Sequence, residues 1–252
     1  MFDDRYETFL ADTAEARAIH HRLRYRIYCE ERSFEPHHQF PDRQERDAAD
    51  DRARHLIVRA RATGAWVAAM RLILPDPQPF PIQSHCSLCS HASTAIAWNR
   101  CGEISRLGIV RNGAKQTQRQ GYDDESGQQR IPEIIFGLFR AAYTLNTEHG
   151  LEHALWMSVP ALARILKRFH LPMRALGEPC DFRGIRQPYI IDVEPFWEGL
   201  CSTTRTIDPH FHISPGYVPY SALSSDLKTQ KRPSQGGRPP YPVRMTPGLA
   251  MA

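Results

Sequence analysis

The chain has 252 residues, 41% of them apolar and 24% charged, with a formal charge of +4. That suits one large domain or two small ones with a sizeable core, and so slight a basic excess argues against nucleic acid as a partner. No apolar run is long enough for a bilayer, and the acidic start Met1-Phe2-Asp3-Asp4 lacks the apolar stretch of a signal peptide, so a cytoplasmic protein with six reduced cysteines is expected.

Ala16, Ile19, Leu23 and Ile27 recur at helical spacing and predict a helix over 13–31, capped by Thr13. Arg24, Tyr28 and Glu31 share a neighbouring face of it. The polar stretch 32–54 contains Pro36 and Pro41 and predicts a long functional loop. It carries Glu45, Asp47 and Asp50 among Arg43, Arg46, Arg52 and Arg54. Strands are expected over 55–61 and 66–74, turned by Thr63-Gly64. Pro75, Pro77, Pro79 and Pro81 stop the second strand, and 76–101 reads as a Cys/His-bearing insertion. A strand over 103–110 follows, then a flexible loop over 112–130. Pro132 is expected at the first position of a helix bearing Ile135, Leu138, Phe139, Ala142 and Leu145, closed by Gly150. A strand over 154–159, a helix from Pro160 and a strand over 189–193 complete a domain spanning 1–220. The Pro-, Ser- and Gly-rich stretch 221–252 is expected to be a disordered tail. This order predicts an α/β sandwich with a mixed central sheet flanked by helices.

The segment Glu103-Ile104-Ser105-Arg106-Leu107 has the residues for aminolysis of a thioester, which needs an amine free of its proton and a held carbonyl. Along a regular strand Glu103 and Ser105 face one way and Arg106 the other; a bulge is required to bring all three to one cleft. Without one, they form an ion pair at a sheet edge. Glu45, Asp47 and Asp50 can hold an ammonium group, or can be a solvated acidic loop balanced by its own arginines. Arg24 either orders that loop or lies along a helix face. Cys86, Cys89, His91 and Cys101 have the spacing of half a zinc site without its second pair, so free thiols are preferred and no cofactor is expected. A zinc-stabilised binding domain without enzymatic activity stays as an alternative. Arg164, Lys167 and Arg168 form a basic patch suited to an acidic carrier protein, or to solvent alone. No GxSxG motif and no cysteine in a nucleophile setting is present.

Arg24, Tyr28, Glu45-x-Asp47-x-x-Asp50, Arg71 and Glu103-x-x-Arg106 stand in the order and spacing by which the first half of the chain resembles the acyl-homoserine-lactone synthases. Phe34 stands where those synthases carry Trp, and Tyr28 where they usually carry Phe. The runs at 25–31, 136–143, 162–169 and 183–189 resemble the acyltransferases associated with PEP-CTERM/exosortase systems, relatives of the N-acyl amino acid synthases, over about 9–193. Both resemblances imply the GNAT fold. They imply transfer of a long-chain acyl group from a thioester, on acyl carrier protein or coenzyme A as substrate, to a small-molecule amine by direct attack. Glu103 would be the base, with Arg106 and Arg71 holding the site. Asp47 and Asp50 would grip the ammonium and Arg24 would order the loop; Tyr28, Phe34, Glu45 and Ser105 complete the substrate-binding set. A lactone synthase using S-adenosylmethionine is the alternative, and Phe34 weighs against it.

Overall fold

The computed structural model describes residues 2–89, 94, 96–111, 125–205 and 208–223, with the backbone alone for 125–130. Of the flexible loop predicted over 112–130, residues 112–124 lie outside the described residues and 125–130 are helix instead; His91 and residues 224–252 of the predicted tail also lie outside the described residues. The compact unit is Met1–Ala222.

The strands are β1 (Tyr6–Leu10), β2 (Ala53–Ala60), β3 (Trp66–Ile73), β4 (Cys101–Ile109), β5 (His153–Ser158), β6 (Arg174–Ala175), β7 (Cys180–Asp181), β8 (Ile185–Asp192) and β9 (Val218–Pro219). In space they run β6-β8-β5-β4-β3-β2-β1-β9, with β7 on β8. The β4–β5 and β1–β9 pairs are parallel and the remaining pairs antiparallel. The helices are α1 (Phe2–Arg5), α2 (Ala14–Arg24), α3 (Pro81–His85), α4 (Glu125–Glu148), α5 (Pro160–Arg168) and α6 (Val193–Thr204).

The alternation of strand side chains divides the core in two. Leu56, Val58, Met70, Leu72, Ile104 and Trp156 meet the stripe Ile135, Leu138, Phe139, Ala142 and Leu145 of α4 on one face. On the other, Ile73, Cys101, Leu155 and Ile190 meet Phe80, Ile82 and Leu176. Because both faces are covered, β2 and β3 are buried along nearly their whole length rather than at alternate residues.

The predicted first helix divides. Thr13 caps α2, its hydroxyl accepting from the Ala16 N–H at 3.1 Å, but from Tyr25 to Glu31 the coil widens into a π-helix. Pro132 does not open α4; it sits inside it, since the helix begins at Glu125. An interior proline forgoes its own N–H bond and crowds the carbonyl four residues back, a local cost that the packed remainder of the helix offsets. Gly150 closes α4 at φ +64°, a left-handed conformation that glycine adopts without a Cβ clash. The short strands β1, β6, β7 and β9 and the helix α6 were not foreshadowed by periodicity.

Candidate active site

The parallel pairing of β4 with β5 runs only from Cys101/His153 to Ile104/Trp156. Beyond that point both strands continue unpaired with each other. A cleft of about 220 Å³ opens there, lined by Ile104, Ser105, Arg106 and Leu107 of β4, by Trp156, Met157 and Ser158 of β5, and by Tyr28, Phe34, Arg183 and Arg186. Splayed strands leave backbone amides without ladder partners, and such donors can hold a carbonyl oxygen on which negative charge develops.

Within β4 the register against β3 slips: Ala69 faces Gly108, yet Arg71 faces Ser105. Three steps on β4 match two on β3, which is a bulge, and Arg106 takes φ +53° in it. This is the bend that the spacing of Glu103, Ser105 and Arg106 required. Arg106 turns toward the loop, where Nη2 donates to Glu45 and to Asp47 at 3.0 Å each.

Arg24 and Arg71 complete the network. Arg24 is fully buried; its Nε donates to Glu45 at 2.5 Å and its Nη1 to Asp50 at 2.6 Å. Arg71, 1% exposed, donates to Asp47 at 2.6 Å, to Asp50 at 2.7 Å and through Nε to the Ser105 hydroxyl at 3.0 Å. Asp50 also accepts the Asp47 N–H at 2.8 Å, while Asp47 accepts that of Ala49 at 3.0 Å. Burial alone would raise these carboxyls, but the arginines outweigh it and hold Glu45, Asp47 and Asp50 below their ordinary range. Glu45 and Asp50 are thus committed inward to arginines. Asp50 does not line the adjoining acidic pocket, which removes the geometric basis for a grip on substrate; Asp47, its side chain 35% exposed, keeps a face to that pocket.

Glu103 lines both the cleft and the adjoining acidic pocket of about 450 Å³, which also holds Glu35, Glu45, Asp47, Arg71 and Arg106. It is 1% exposed and accepts the Ile82 N–H at 2.9 Å. Burial pushes its carboxyl up to about 7, against the lowering by that N–H and by Arg71 and Arg106. A carboxyl poised near neutrality beside two open spaces is suited to accept a proton.

Sequence reasoning missed several neighbours. Ile82 belongs to the expected insertion, which is a wall of the site rather than a surface excursion. Glu35 forms ion pairs with Arg183 and, at 3.5 Å, with Arg106; burial raises its carboxyl against both. Arg183 arrives from the turn between β7 and β8 at φ +56°, a placement with no local signal except the Arg183-Gly184 pair. Arg186 stacks over Phe34 at 5.6 Å and Arg106 over Tyr28 at 5.5 Å, while the Tyr28 hydroxyl donates to the Leu107 carbonyl at 3.1 Å. Arg164, Lys167 and Arg168 are exposed on α5, whose first turn (Val159, Leu162) borders the cleft.

The cysteines require correction. Cys86 is joined to Cys180 in a disulfide across 94 residues, so the CxxC half-site loses its first ligand and the six thiols are not all free. Cys101 is fully buried, its thiol donating to the Ala97 carbonyl at 3.4 Å, and Cys89 is exposed. Spacing cannot disclose a partner that only the folded β7 brings close.

Residues 23–118 match a family model described as an acetyltransferase (GNAT) domain. TofI, solved with an inhibitor and MTA, superposes with a TM-score of 0.53 at 19% identity, covering 81% of this chain and 99% of TofI. BjaI, a CoA-dependent acyl-homoserine lactone synthase solved with SAM and isopentyl-CoA, gives 0.54 at 19% identity over 81% of this chain and 89% of its own. The synthase LasI gives 0.56 at 13% identity over 78% and 95%. The chain has the GNAT fold. Within the GNAT architecture, the β4–β5 splay and the acidic loop locked to β3 and β4 are the parts that face one another. No curated protein matches the chain by sequence.

Proposed function

We propose that this GNAT protein is an N-acyltransferase that moves a long-chain acyl group from a thioester to the amine of an amino acid or related small molecule. The observation that carries the reading is Glu103, buried between the cleft and the acidic pocket with its carboxyl near 7. In this reading the acyl thioester lies in the splay of β4 and β5, with its carbonyl oxygen on free backbone amides. The acceptor enters from the acidic pocket with its ammonium toward Asp47. Glu103 takes a proton from the ammonium, directly or through water, and the amine attacks the carbonyl carbon. The C–N bond forms first, giving a tetrahedral intermediate; as this collapses the C–S bond breaks, and the second amine proton passes from nitrogen to the departing thiolate, which leaves as a thiol. Arg24, Arg71 and Arg106 position the loop without touching the reacting atoms.

Acyl carrier protein is the favoured donor. The exposed Arg164, Lys167 and Arg168 sit on the helix whose first turn edges the cleft, where an acidic carrier would dock. Arg32, Arg183 and Arg186 line the same cleft and suit a phosphate on the thioester arm, whether from carrier protein or coenzyme A. The association with PEP-CTERM/exosortase systems and a cytoplasmic setting rest on the sequence alone; among the described residues no helix is long and apolar enough to cross a membrane.

A lactone synthase is the second reading, favoured by the synthases among the similar structures and opposed by Phe34 in place of Trp. Mass spectrometry of lipid extracts from an expressing strain separates the two. N-acyl amino acids are expected; acyl-homoserine lactones would replace the first reading with the second.

A further inference from the structure

Beneath the acidic loop, away from the cleft, His20 and His21 of α2 and His55 of β2 come together. Their rings lie 4.5–5.7 Å apart by centroid. One potential ligand atom from each falls within 4.8 Å of the others, and among the described residues this is the single such grouping of histidine, cysteine and carboxylate groups. His20 is fully buried and His55 is 3% exposed. His20 Nδ1, His21 Nε2 and His55 Nδ1 are all buried without a hydrogen-bond partner. Three unpartnered imidazole nitrogens in one buried cluster are costly, because each lone pair or N–H was stripped of water for nothing in return.

We propose that His20, His21 and His55 form a binding site for a borderline transition-metal ion, zinc by preference, that pins α2 to β2. His20 Nε2 lies 3.2 Å from the Met70 carbonyl, so it carries the proton and Nδ1 presents a lone pair. A backbone acceptor on the far nitrogen is the arrangement that orients metal-bound histidines. Neutral imidazole is the form that ligates, and the burial of His20 and His55 disfavours the charged form. Zn–N bonds of about 2.1 Å put tetrahedral ligands about 3.4 Å apart, so the ligand atoms, now within 4.8 Å of one another, would draw together on binding. The positive neighbour Arg24 is neutralised by Glu45 and Asp50, and Asp50 Oδ1 lies 3.9 Å from His55 Nδ1. Three protein ligands leave a fourth position for water. Arg24 lies one helical turn after His20, so an ion there would fix the arginine that anchors the loop.

The test uses tag-free, full-length protein, stripped with chelator and titrated with cobalt(II) and then zinc. The expected result is about one cobalt per chain with the intense visible bands of a four-coordinate ion, displaced by zinc, and a thermal midpoint that rises several degrees, roughly the shift of one well-held ligand. His21 is only half-buried, so His21→Gln is expected to fold and to weaken cobalt binding by more than about tenfold. His55→Gln is expected to do the same. Failure of the wild-type protein to bind cobalt or zinc overturns the proposal. So does binding that survives in His21→Gln and His55→Gln, or that disappears on alkylation of Cys89. None of these readouts depends on acyl transfer.

Discussion

Glu103 combines a hydrogen bond from Ile82 with near-complete burial, and the second effect wins: its carboxyl stays largely protonated below about 7 and ionises above it. A base works in its ionised form, so kcat/KM is expected to climb as pH rises through about 7 and then level off. A rate profile that is flat across neutrality contradicts the assignment. Arg24 presents the opposite case, a buried cation satisfied by Glu45 and Asp50. Arg24→Ala leaves two buried carboxylates short of their partner and is expected to cost about 3–5 kcal/mol in chemical denaturation. A loss under about 1 kcal/mol would show that the loop is held by Arg71 and Arg106 instead.

At the scale of elements, the site depends on a bulge and on an insertion. The bulge at Arg106 converts an alternating strand into one that presents Glu103, Ser105 and Arg106 to the same side. The insertion docks through the Leu88–Gly177 bridge and the Cys86–Cys180 disulfide. A Cβ at Gly177 would meet the Ser87 carbonyl oxygen at 2.2 Å, and backbone cannot rotate aside. Gly177→Ala is expected to loosen residues 81–89, which hydrogen exchange at Ile82 and Cys89 would report as faster exchange, together with a lower rate of turnover. Unchanged exchange at both amides would separate the insertion from the site. Thiol counting checks the pairing: Cys29, Cys89, Cys101 and Cys201 are expected to alkylate in denaturant without reductant, and Cys86 and Cys180 only after reduction. Labelling of all six without reductant contradicts it.

Across the whole molecule, the order of long elements was legible because hydrophobic periodicity reports burial, and the buried stripes of α2 and α4 and the runs of β2 and β3 are long. Short pieces such as β6, β7 and β9 have too few residues for a period to appear; they exist because tertiary partners hold them. The Arg/acid set was legible as a pattern of residue types, but the direction of each side chain was not. Whether Asp50 faced a substrate or Arg24 and Arg71 depended on the loop's path, which no local signal encodes. Glu35 and Arg183, far apart in the chain, pair only once β8 is in place. The network also sets a pH limit. Glu45, Asp47 and Asp50 ionise more readily folded than their ordinary values of 4.5 and 3.8 allow, so their contribution is whole above those values and is lost as pH falls below them. Acid unfolding that starts as pH drops through about 4 is expected, and Arg71→Met should weaken that dependence.

The most direct test of the central claim is turnover by wild-type protein and Glu103→Gln, given long-chain acyl carrier protein and a mixture of amino acids, with N-acyl product and released carrier thiol quantified together. The amide can still accept the Ile82 N–H, so the variant is expected to fold like the parent. The account predicts stoichiometric product and thiol from the wild type and a rate about 10²–10⁴ lower in the variant. Equal rates in the two proteins, or thiol released with no N-acyl product, would contradict it.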